Sequence, residues 1–168
     1  MEKTRIICLG NEMVRDDGIG IRVGRVLREL DLPVTVELRR CMGLELLDEL
    51  RADERIIVVD ATRTGRAAGT CHVLDLTRAT SLASQPYCCH GMGLVEVLDV
   101  VSRVAPERIP PRLVIVGIEA GDLTEYGTSL SPPVRDALPE AVDLVLETID
   151  APAALRERGR AEAERMRD

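Results

Sequence analysis

Phenylalanine and tryptophan are absent from this chain of 168 residues, and tyrosine occurs only twice. A core built without them must be packed from Leu, Val, Ile and Ala. Aromatic platforms on which nucleic-acid bases stack are all but excluded. Positive charge is also in short supply: 22 Lys and Arg stand against 29 Asp and Glu, for a net charge of −7. That balance argues against nonspecific binding to nucleic acid, and no nucleic-acid partner is expected. No apolar run approaches the length of a membrane span. The start, Met1 to Arg5, leads straight into a short strand and does not read as a signal peptide. A cytoplasmic protein without a membrane partner is expected, with its five cysteines as reduced thiols. None of the five forms a Cys-x-x-Cys pair, so a structural zinc site is not indicated. Gly-x-Ser-x-Gly, the elbow of many serine hydrolases, does not occur.

What the chain does have is 45% hydrophobic residues, enough for one domain with a proper core. Ile6–Leu9, Val34–Leu38 and Ile56–Val59 read as strands, the last with four consecutive β-branched residues before Asp60. Thr70–Leu76 reads as a further strand at an antiparallel edge, and Arg112–Ile118 as the last buried strand. Helices are expected from Gly18 to Leu30, Leu44 to Leu50, Leu94 to Val104, and Pro139 to Ile149, on apolar spacings of three and four. Ser131 and Pro132 read as an N-cap and a first helical residue. Thr77–Gly91 is polar and irregular. The expected fold is α/β: a single domain over residues 1–150, with a twisted, mostly parallel five-stranded sheet and helices on both faces. Residues 151–168 read as a charged, frayed helical tail. The chain is expected to act as a monomer.

The stretch from Cys8 to Gly20 joins the first strand to the first helix, where α/β proteins build ligand sites. Its glycines, Gly10, Gly18 and Gly20, permit close approaches and unusual backbone angles. A dinucleotide reading fails because the third glycine is missing at the right distance. A phosphate loop fails because no Gly-Lys-Ser/Thr follows. An anion would also meet Asp16 and Asp17. Two readings of that pair remain: caps for the helix N-terminus, leaving a solvated acidic pair, or a site in which one acid holds a cation.

In such a sheet, ligands gather at the carboxyl ends of the strands. Asp17, Asp60 and His90 are all candidates for that edge. Two carboxylates and an imidazole suit nickel, zinc, manganese or iron, with positions left open. Each also has a plainer role: Asp60 as a turn cap, His90 as a helix start. Asp17 and Asp60 are an aspartic dyad if they approach closely and share a proton. Cys88 and Cys89, beside His90, read as small packed thiols. His72 reads as a surface residue of the edge strand.

The ordered set Gly10-Asn11-x-x-x-x-Asp16-Asp17-Gly18-x-Gly20, Gly43–Leu47, Val58–Ala61, His90 with Gly93-Leu94, Gly117-Ile118-Glu119, and Leu130–Pro132 through Leu138–Val142 resembles the hydrogenase maturation proteases from about Arg5 to Ile149. Those endopeptidases trim the C-terminus of the nickel-iron hydrogenase large subunit. The resemblance implies their fold. It also implies metal contacts at Asp17, Asp60 and His90 and a site loop of Gly10, Asn11, Asp16 and Gly18. Two mechanisms stay open: nickel acts on the scissile carbonyl or on a bound water, or it only docks the substrate while a catalytic carboxylate, Asp17 or Asp60, handles the proton. It implies a nickel-loaded large-subunit precursor as partner, with nickel supplied by that substrate, and no organic cofactor. Readings of another kind are a nickel-binding accessory protein without peptidase activity and a metal-independent aspartic protease. The sequence departs from the family at Leu38-Arg39-Arg40-Cys41-Met42, where an acidic, glycine-rich turn is common.

Overall fold

The computed structural model describes residues 3–40, 50–76 and 94–167. Five strands form one sheet: β1 (Lys3–Leu9), β2 (Thr35–Arg39), β3 (Glu54–Thr62), β4 (Cys71–Asp75) and β5 (Arg112–Glu119), in the spatial order β2-β1-β3-β5-β4. The first four in that order run parallel, and β4 pairs antiparallel with β5. The expected antiparallel edge is therefore where the sequence placed it. The helices are α1 (Ile19–Arg28), α2 (Leu94–Val104), α3 (Pro132–Asp136), α4 (Leu138–Thr148) and α5 (Ala153–Arg165). The expected short helix over Leu44–Leu50 falls outside the described residues up to Leu50, as do Thr77–Gly91 and with them Cys88, Cys89 and His90.

β3 is central, and all nine of its residues are buried. Alternation along it feeds two cores. Ile57, Val59 and Ala61 pack with α1 and α4. Ile56 and Val58 pack with Leu50, Leu113, Ile115 and Val101 of α2 on the opposite face. Burying each such aliphatic side chain stabilises the fold by roughly 1.5–3 kcal/mol, before conformational entropy is subtracted. No aromatic ring is needed to fill either layer.

The tail is not frayed. Residues 153–165 form α5, whose Gly159 and Ala163 are buried. Arg156 and Arg160 both reach Asp143 of α4, at 2.8 Å each. Small residues let α5 lie close to α4, and its charges are spent on its neighbour. Among the described residues no helix is long and apolar enough to cross a membrane.

Candidate functional site

Strands β1, β3 and β5 are parallel, so their carboxyl ends share one edge of the sheet. β3 runs past Asp60 to Thr62, with Asp60 opposite Gly117 and Thr62 opposite Glu119. A 3-10 turn, Arg15–Gly18, connects β1 to α1. A Cβ at Gly20 would lie 2.1 Å from the Leu9 carbonyl oxygen and 2.7 Å from that of Val59. Only glycine lets the first turn of α1 press onto the ends of β1 and β3 together. Asp17, three residues before Gly20, and Asp60, one residue after Val59, are thereby brought to the same edge. Both are buried, Asp17 at 3% exposure and Asp60 at 0%.

The adjacent acids turn out to do different things, and the N-cap position of α1 itself falls to Gly18. Asp16 is fully buried. Its Oδ2 accepts from the backbone N–H groups of Gly121 and Asp122, each at 2.8 Å, and from the Ser131 hydroxyl at 2.8 Å. Its Oδ1 accepts from the Ser131 N–H at 2.6 Å. A buried carboxylate is tolerable only when its oxygens are met this way. Asp16 is thus the anchor of the loop that follows β5. Ser131 does stand at the N-cap position of α3, but its hydroxyl serves Asp16 and not the helix. The two loops are also joined by Arg15 N–H to Gly127 O at 2.8 Å and Gly127 N–H to Met13 O at 3.0 Å. Arg15 adds ion pairs with Asp122 at 3.2 Å and Glu125 at 2.8 Å.

Asp17 accepts from the Asn11 N–H at 2.9 Å. That folds the site loop back over its own end. Gly10 makes the fold possible: its φ is +148°, and a Cβ there would meet the Asp17 carbonyl oxygen at 2.1 Å. Gly18 closes the turn and is buried.

Glu119 was quoted in the sequence only as part of a matching tripeptide, and its role was missed. It ends β5 at 2% exposure. Its carboxylate accepts from the backbone N–H groups of Thr64 at 2.7 Å, Gly65 at 2.7 Å and Arg66 at 3.1 Å. The hydroxyls of Thr62 and Thr64 donate to it as well, at 3.2 and 2.9 Å. Glu119 therefore shapes the loop that leaves β3 just beyond Asp60. The available signal was an acid directly after a buried strand, the same signal that singled out Asp60. Burial opposes its ionisation, but the hydrogen bonds led by Thr64 outweigh that and hold its carboxyl below the ordinary glutamate range. A depressed carboxyl contributes stability above its unfolded value and loses it as pH falls through the folded one. Glu119→Gln is expected to cost ~2 kcal/mol near neutral pH, for buried donors left without their acceptor. The gap to the parent should close below the ordinary glutamate range. Thermal unfolding of both proteins from pH 7 to 3 checks this, and a gap that stays constant would refute it.

His72 is not the surface residue expected. It is half-buried in β4, in register with Gly117, which is itself opposite Asp60. A Cβ at Gly117 would lie 2.6 Å from His72 Nε2, so the imidazole fills the space that glycine leaves. Burial first, and then the Arg66 charge, lower its pKa. The described thiols are poor candidates for chemistry. Burial pushes Cys8 far up, and pushes Cys71 up to about 12, with Glu140 adding to it. Among the described residues no three His, Cys, Asp or Glu side chains gather as metal ligands. A centre built on Asp17 and Asp60 would take its third donor from His90, outside that set, or from a ligand.

Residues 41–148 match a family described as hydrogenase maturation protease. The chain is 29% identical over 150 residues to the hydrogenase expression/formation protein HupD of Bradyrhizobium diazoefficiens, covering 86% of this chain and 76% of that one. It is 30% identical over 158 residues to HupM, also a hydrogenase expression/formation protein, of Azotobacter chroococcum, covering 92% and 72%. Its fold is similar to that of the hydrogenase maturating endopeptidase HybD from E. coli, with a TM-score of 0.68 at 24% identity over 88% of this chain and 92% of that one. The solution structure of an endopeptidase from Escherichia coli superposes with a TM-score of 0.71 at 25% identity, over 88% and 91%.

Proposed function

Because this chain belongs to the hydrogenase maturation protease family, we propose that it removes the C-terminal extension of a nickel-loaded hydrogenase large-subunit precursor and reads the nickel with Asp17, Asp60 and His90. The chain is an endopeptidase of hydrogenase maturation, in a family that acts on the large subunit. The nickel reading and the residue roles are the proposal. The observation that carries them is the burial of Asp17 and Asp60, from two different elements, at one sheet edge.

Two carboxylates and one imidazole are donors that nickel accepts, and three donors leave room for those the precursor already supplies. The metal arrives with the substrate, so a precursor that has not received it lacks part of its docking energy. Peptide hydrolysis then needs a proton acceptor for the attacking water and a proton for the departing amine. One of the paired carboxylates takes the water proton as the carbon–oxygen bond forms, and returns it to the amide nitrogen as the carbon–nitrogen bond breaks. The same reading has the enzyme acting as a monomer in the cytoplasm.

Incubation with precursor, with and without nickel, tests this. Mass spectrometry should show shortening of the loaded form alone. Equal cleavage of the nickel-free precursor would overturn the nickel reading. His90→Ala should lower cleavage of the loaded precursor by at least the ~10–100-fold typical of residues that support a metal site. If His90 only starts a helix, the change costs ~1 kcal/mol of stability and the folded fraction cleaves normally.

A further inference from the structure

Beside Asp17 lies a groove whose charge opposes that of the chain. It encloses about 450 Å³ between the site loop, α1 and the end of β2. Met13, Ile21 and Leu38 supply apolar surface, and Arg25, Arg39 and Arg40 supply the charged groups. Met13 is 57% exposed, an unusual position for a large apolar side chain next to a buried carboxylate. Gly10 and Asn11 form the inner wall. The Asn11 N–H donates to Asp17, so the inner wall of the groove touches the candidate centre.

Glu12 is the one carboxylate among the lining residues, and it pairs with Arg25 at 2.6 Å. Arg39 pairs with Glu37 at 2.5 Å. Arg40 is exposed and has neither an ion pair nor a hydrogen bond among the described residues. With Glu12 and Glu37 set against Arg25 and Arg39, the groove keeps one net positive charge, that of Arg40, on a chain of net charge −7. Guanidinium groups on an apolar surface suit a ligand that carries both carboxylates and aliphatic side chains. The net charge of −7 disfavours such a ligand on the rest of the chain on average.

We propose that this groove binds an extended segment of the precursor in which aliphatic and acidic residues are interspersed, and holds it against the centre at Asp17. The proposal rests on the reading of Asp17 and Asp60 as that centre.

Two labelled peptides of equal length serve as probes: Leu-Val-Asp-Leu-Glu-Val, and Leu-Val-Lys-Leu-Lys-Val. Fluorescence anisotropy should show the acidic peptide binding at least ~10-fold tighter at low salt, with the advantage shrinking as salt screens it. Arg40→Glu should remove most of that advantage, and with the intact precursor it should raise KM more than it lowers kcat. Met13→Glu, at an exposed position, should weaken the acidic peptide too. Thermal unfolding of both variants should match the parent. Equal affinity for the two peptides, or an Arg40→Glu protein that binds them as the parent does, would overturn the groove. Peptide binding is read without cleavage, which separates it from the catalytic reading. An Asp60→Asn protein that still cut the precursor would sink the centre and leave the groove standing.

Discussion

Asp60→Asn should give a folded protein that no longer shortens the precursor. The substitution is isosteric, and the site is fully buried in the central strand. Asparagine keeps the shape of the buried side chain, so the variant should fold, and its thermal unfolding checks that it does. The proton-transfer capacity at that position is lost, and a drop of about 10³-fold in kcat is expected, within the range for removing such a group. Loss of turnover in a protein that still folds is the signature of a catalytic carboxylate. A folded Asp60→Asn protein that cleaves at the parental rate would leave Asp60 with no role in the chemistry.

Asp16→Asn is expected to do the reverse, with stability as the first casualty. Its two oxygens receive four donors, three on Oδ2 and one on Oδ1. An asparagine has one oxygen, so whichever way it turns, an N–H group faces donors it cannot serve. The cost should be ~3 kcal/mol, from buried donors left unsatisfied. For a chain of this size that corresponds to a fall in Tm of roughly 10 °C. Hydrogen exchange should quicken first in residues 121–131, because Asp16 is what ties that loop to the turn before α1. Cleavage by the protein that remains folded should fall less than in Asp60→Asn. Asp17 accepts from the Asn11 N–H within its own loop, so Asp17→Asn should leave residues 121–131 in place and lower cleavage first. Equal losses for the two neighbours would refute this division of labour.

The sheet was legible because its signals are local. Ile56–Val59 is a continuous β-branched run, and such a run is buried on both faces wherever it sits. The spacing of Ile19, Val23, Val26 and Leu27 named the buried face of α1 in the same way. The edge strand from Cys71 was legible in the sequence between the expected loop Ala61–Gly69 and the polar stretch from Thr77, and the mixed burial of the strand agrees with an edge. Fraying of the tail was the wrong inference. Its composition is polar, but Gly159 and Ala163 are small enough to dock it, and composition says nothing of a neighbour that fits.

Within the site, the sequence by itself determined the fold class and the edge to which Asp17 and Asp60 go, because strand ends and the loop glycines are encoded within a few residues. Only the tertiary structure decided which acid does what. Asp16 and Asp17 are indistinguishable as neighbours in a loop, and the donors that separate them are 105 to 115 residues away. Glu119 became a loop anchor through groups 53 to 57 residues before it. His72 turned from a surface position into a half-buried one because Gly117, on the adjacent strand, left room for an imidazole. The physical reason is common to all three. A buried polar group must find its partners, and a parallel sheet brings those partners from crossover connections distant in the chain, where no local pattern of residues records them.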